Sequence, residues 1–141
     1  MDMGAMPLAR QVDFVFRQLE EELTNATAGT VLIHIRNNTV GKFGVRHNPI
    51  EWKDGRFDSS SKGMTPAQVQ AFRTMAVDAL KFKSGWTHGE ILFDFSVRQS
   101  TAGSWSASIL FESNYNMASS HFRYQPKHPM SRERKEQDGF G

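Results

Sequence analysis

Leu8, Val12, Val15, Phe16, Leu19 and Leu23 recur at three- and four-residue intervals, the spacing that lines one face of an α-helix. Pro7 suits the first turn of that helix, where its missing N–H has no role. The pattern predicts one helix from residue 7 to about residue 24, ended by residues 25–29. Glu20, Glu21 and Glu22 then fall near its C-terminus, where the helix dipole opposes carboxylates.

Beyond residue 30 the rhythm changes to alternation. Val31, Ile33 and Ile35 precede Asn37-Asn38-Thr39, and residues 40–46 follow as a second strand. A two-residue loop at Asn37-Asn38 sets Ile33 against Lys42, whereas a three-residue loop sets Ile33 against Phe43 and Val31 against Val45. A slip of one residue moves every side chain to the other face, so the apolar pairing decides for the longer loop. After Pro49, Asp54-Gly55 suits a type I′ turn that places Trp52 opposite Phe57.

Thr65-Pro66-Ala67-Gln68 is a capping box with proline at the first helical position. The helix it opens carries Val69, Phe72, Ala76 and Leu80 as its inner stripe, flanked by Met75, Ala79 and Phe82, with Gly85 as the stop. Two strands follow. Ile91, Phe93, Phe95 and Val97 alternate with Leu92, Asp94 and Ser96; Trp105, Ala107, Ile109 and Phe111 alternate with serines, Leu110 and Glu112. Closing that hairpin at Val97 and Trp105 sets Phe95 against Ala107, Phe93 against Ile109 and Asp94 against Ser108. One face is apolar and the other largely polar, as in an antiparallel sheet with a solvated side. The expected fold is α+β: a mainly antiparallel sheet of about four to six strands packed against two helices, spanning residues 7–117. Residues 1–6 and 118–141 show no periodicity and are expected to be disordered, the latter as a basic tail.

Composition adjusts this picture in three ways. At 141 residues and 11 % aromatics, the chain fits one domain with enough large side chains for a core. It has no cysteine, so disulfides and Cys-ligated metals are excluded. Residues 118–141 hold five of the 17 basic and three of the 15 acidic residues, leaving 12 of each sign before them. A neutral body argues against a dedicated nucleic-acid surface. No apolar run approaches the roughly 18–20 residues of a membrane span, and the N-terminal stretch lacks the pattern of a secretory signal, so a cytoplasmic location is expected.

Candidate chemistry is sparse. The histidines (His34, His47, His88, His121, His128) are scattered, and no metal or cofactor is expected. Glu90 and Glu112 become cross-strand neighbours with Asp94 on the same face, which is a solvated sheet face before it is an acid pair in a cleft. No Gly-x-Ser-x-Gly elbow and no phosphate-binding glycine loop is present. Trp52, Trp86, Trp105 and Tyr115 lie near strand ends or turns, where large rings can serve recognition. The candidate binding residues are therefore Trp86, Asp94, Trp105, Glu112 and Tyr115. An alternative nucleic-acid set is Arg123, Lys127, Arg132, Arg134 and Lys135 in the tail.

Trp86-Thr87 leading into Ile91-Leu92-Phe93-Asp94, and Ser108-Ile109-Leu110-Phe111-Glu112 leading into Tyr115, give the chain a layout that resembles the YezG-like group of small bacterial proteins. That resemblance implies an immunity protein that neutralises a toxin by direct binding. The leading expectation is a non-enzymatic domain that binds another protein through its exposed sheet face or last hairpin. A small nucleic-acid-associated protein using the basic tail is the alternative, and a hydrolase or small-ligand-binding domain is a weaker one.

Overall fold

The computed structural model describes residues 6–58, 63–98, 104–115 and 117. The expected tail, the first five residues and most of the serine-rich stretch after residue 58 lie outside them. The elements run α1 (Leu8–Gln18), α2 (Glu20–Thr24), β1 (Ala28–Arg36), β2 (Thr39–His47), β3 (Glu51–Lys53), β4 (Arg56–Asp58), α3 (Pro66–Ala79), β5 (His88–Val97) and β6 (Trp105–Ser113), with a 3₁₀ turn at Leu80–Phe82. Four strands form one antiparallel sheet in the order β2-β1-β5-β6, and β3 pairs with β4 as a separate hairpin. This is an α+β fold.

Val31, Ile33 and Ile35 on β1 and Ile91, Phe93 and Phe95 on β5 are all buried beneath residues of α1, α2 and α3, so the helices share one face of the sheet. Phe16 of α1, Phe72 of α3 and Phe93 of β5 meet edge to face, with centroids 4.9, 5.5 and 6.1 Å apart. Asp13 ties the two long helices on their outer side, its carboxylate lying 3.0 Å from Arg73 Nε and 2.8 Å from Arg17 Nε. That hydrogen bond and the negative charge hold the Arg17 guanidinium above its ordinary range.

Three departures from the sequence pattern have physical causes. The first helix is interrupted at Leu19, which takes φ −95° and ψ 4°. Glu20, Glu21 and Glu22 thereby become the first turn of α2, where the dipole favours carboxylates. Glu22 also reaches His47 Nε2 at 2.7 Å. The β1–β2 connection combines the two registers that the pattern set against each other. Asn37 and Asn38 (φ 53° and 59°) make a two-residue turn with Arg36 opposite Thr39, yet Ile33 faces Phe43 and Val31 faces Val45. A bulge reconciles them: Ile35 pairs with Val40 and His34 with Lys42, leaving Gly41 as the extra residue. Finally, Phe82 leaves the inner stripe of α3. The tighter 3₁₀ turn carries it into solvent, with Lys81 Nζ 5.4 Å from its ring centre. The Thr65–Gln68 capping box, the Trp52–Phe57 pair and the Val97–Trp105 closure form as the pattern predicts.

The Asn37-Asn38 turn is held from two sides. Gln11 of α1 is fully buried; its Nε2 donates to Asn38 O (3.2 Å) and Met6 O (2.9 Å), and its Oε1 accepts from Val40 N (2.8 Å). From the other side, Asn38 Oδ1 accepts from Trp86 N (3.1 Å), Asn38 N donates to Trp86 O (3.0 Å) and Asn37 N donates to Thr87 O (2.7 Å). Replacing Gln11 with alanine strands the buried Val40 amide and opens space beside it. Gln11→Ala is expected to lower unfolding free energy by about 2–3 kcal/mol in a denaturant titration.

Candidate functional site

Among the described residues every helix lies on one side and the other face of the sheet is open, and register fixes what that face presents. Arg46, Thr30, Asp94 and Ser108 form one row across the strands; Gly44, Leu32, Leu92 and Leu110 form the next; Lys42, His34, Glu90 and Glu112 form the third. Arg36 and His88 follow at the end. The middle row is a strip of leucines, and Leu110 is 58 % exposed on the outer strand.

Charge on this face is sorted by strand. Arg36, Lys42 and Arg46 lie on β1 and β2, while Glu90, Asp94 and Glu112 lie on β5 and β6. Two of the carboxylates are engaged within the face: Thr30 Oγ1 donates to Asp94 Oδ1 at 2.5 Å, and His34 Nε2 lies 2.9 Å from Glu90 Oε2. Among the described residues, Arg36, Lys42, Arg46 and Glu112 have no ion-pair partner.

At the end of the face the sheet opens into a groove of about 530 Å³, within the range of natural ligand sites. His34, Arg36 and Lys42 line one side; His88, Asn114 and Tyr115 line the other. The floor includes Gly41, the extra residue of the bulge, and Gly89. Gly89 has a structural reason: a Cβ there would run into Glu112 O and the Trp86 ring. Tyr115 is 75 % exposed at the rim.

The five candidate binding residues divide between the two faces. Asp94 and Glu112 stand on the open face and Tyr115 on the groove. Trp105 turns to the helix side, half-buried with its centroid 5.5 Å from Phe72. Trp86 is a correction: only 2 % exposed, it packs against Phe111 and beneath Lys83, so it belongs to the core rather than offering a surface. Glu90, Asp94 and Glu112 lie on the open face, and none of the three lines the groove. Among the described residues no cluster of three or more His, Asp or Glu could hold a metal ion. The five tail residues of the nucleic-acid alternative lie outside the described residues.

Sequence reasoning missed Arg36, Lys42, His34 and His88 as one group. They come from three strands and meet only through the order β2-β1-β5. The β3–β4 hairpin is a further surface: Trp52, one of the aromatics that the sequence places at a turn, and Phe57, each 62 % exposed, meet edge to face at 4.9 Å beside exposed Ile50. A second groove between α1 and α3 holds Arg10, Asp13 and Arg73, and its carboxylate is already committed to two guanidinium groups.

No protein-family model matches the chain, and neither a curated protein nor a solved structure does.

Two substitutions test this construction. Gly89→Ala is expected to destabilise the fold by about 1–3 kcal/mol through overpacking, whereas Gly44→Ala, where a Cβ meets nothing within 4 Å, leaves the melting temperature nearly unchanged. A double-mutant cycle on His34 and Glu90 should give a coupling below about 1 kcal/mol, because the His34 side chain is 43 % exposed.

Proposed function

We propose that this protein is a non-catalytic binding module that engages another protein through its open sheet face. The supporting observation is the leucine row Leu32–Leu92–Leu110 between rows of charge sorted by strand. An apolar strip rimmed by charge is the anatomy of a recognition surface: the apolar centre supplies affinity, and the rim supplies orientation and selectivity. The resemblance to the YezG-like group gives this reading its specific form, an immunity protein whose partner is a toxin. In that form, steric occlusion by a rigid sheet is sufficient for neutralisation, and no chemistry on the toxin is required.

Leu110→Asp tests the reading directly. The side chain is mostly exposed, so folding stability should change by no more than about 0.5 kcal/mol. A stoichiometric protein recovered by the native chain from its source cell should be lost or weakened about tenfold or more by this substitution, measured by quantitative pull-down. Trp52→Ala serves as the contrasting variant. Retention by Leu110→Asp with loss by Trp52→Ala would move recognition to the β3–β4 hairpin and overturn the sheet-face reading.

A further inference from the structure

The groove at the end of the open face has a basic lining. Arg36 and Lys42 line it, and among the described residues neither has an ion-pair partner and no carboxylate is part of the lining. The carboxylate nearest in register, Glu90, is drawn toward His34. Two fixed cations therefore face a concave, partly walled space, where an anionic group would meet guanidinium and ammonium donors without first displacing an internal partner.

The walls suit a peptide. Asn114 supplies an amide that can both donate and accept, and Tyr115 supplies an exposed ring with a hydroxyl, the side-chain types that seat a backbone at little entropic cost. At Gly41 a Cβ would meet nothing within 4 Å, so this part of the lining carries no side chain and a backbone can approach the sheet closely there. The leucine row lies one register step beyond Lys42 and His34, at Gly44 and Leu32. A chain running out of the groove along the face thus passes from cations onto aliphatic carbon.

We infer that this groove receives an acidic segment of the partner protein, with the carboxylates against Arg36 and Lys42 and a following aliphatic side chain on the leucine row. The inference rests on the protein-binding reading above and names the partner's chemistry. The floor is rigid before binding, because the Asn38 contacts to Gln11 and Trp86 fix the turn beside it, so the groove itself needs little ordering. Attraction between two cations and a carboxylate pair is screened by salt, and binding should weaken as ionic strength rises past about 0.15 M.

The experiment titrates the full chain into a fluorescein-labelled peptide of alternating glutamate and leucine, read by anisotropy, with a lysine-and-leucine peptide as control. Expected are saturable binding of the acidic peptide alone, and a loss of about tenfold or more in affinity for the combined Arg36→Ala and Lys42→Ala variant at an unchanged melting temperature. Equal binding of both peptides, or undiminished binding by the double variant, would overturn the inference. So would displacement of the peptide by millimolar inorganic phosphate or by a short single-stranded RNA, since the groove would then belong to phosphate. The outcomes separate from those of the wider reading. If the acidic peptide fails while the native chain still captures a protein that Leu110→Asp loses, the acidic-segment inference falls and the binding module stands.

Discussion

Asn38 joins three parts of the chain that are distant in sequence. Its carbonyl takes a hydrogen bond from Gln11 of the first helix, while its amide and side chain bracket the backbone of Trp86 just before β5. The turn it occupies requires a positive φ, which asparagine tolerates better than most residues. Without this clamp of Asn38 contacts the β1–β2 hairpin would still form locally, but its tip would keep only the Val40 bond to Gln11 on the α1 side and the Asn37 bond to Thr87 at the entry to β5. The bulge, the groove and the placement of Trp86 all depend on that tip. A buried polar network of this kind supplies uniqueness more than energy, because each member costs free energy unless every partner is in place.

Packing completes what the clamp begins. The Phe16–Phe72–Phe93 contact locks one residue from each long helix to a central strand. Trp86 presses on Gly89, where no other side chain fits. The concave end of the open face is therefore the outer surface of a tightly filled inner one. Its rigidity is inherited from the core.

The sequence displays the local half of this design. Alternation and turn chemistry are enough for the β3–β4 and β5–β6 registers, Trp52 with Phe57 and Phe93 with Ile109, because a hairpin pairs residues close in the chain. The choice between two loops at Asn37-Asn38 could not be made correctly from pattern, since a bulge satisfies both the turn and the apolar pairing. Gln11 was silent for a different reason: a polar residue on a helix reads as solvent-facing until the partners that satisfy it are known. The pairing of β1 with β5 joins residues more than fifty positions apart, and only that pairing brings Arg36 beside His88. Trp86 and Tyr115 look alike as aromatics at strand ends. Their opposite fates follow from which side of the sheet the adjoining chain takes.

The two margins of the sheet are unlike. β2 carries a bulge, two glycines, Lys42 and Arg46, features that bend and charge a strand edge and discourage further pairing. β6 runs nine residues in unbroken register, without glycine or proline, and with Glu112 as its single charge. Arg98 N bonds Ser104 O and Asn114 N bonds His88 O, so the even-numbered residues of β6 exchange hydrogen bonds with β5. Trp105, Ala107, Ile109 and Phe111 consequently turn their backbone amides and carbonyls away from the sheet. Among the described residues, β6 is the margin better suited to a further strand. A strand joining it would lie beside the acidic side of the open face, widening the platform past Leu110 while Arg36 and Lys42 remain uncovered on β1 and β2.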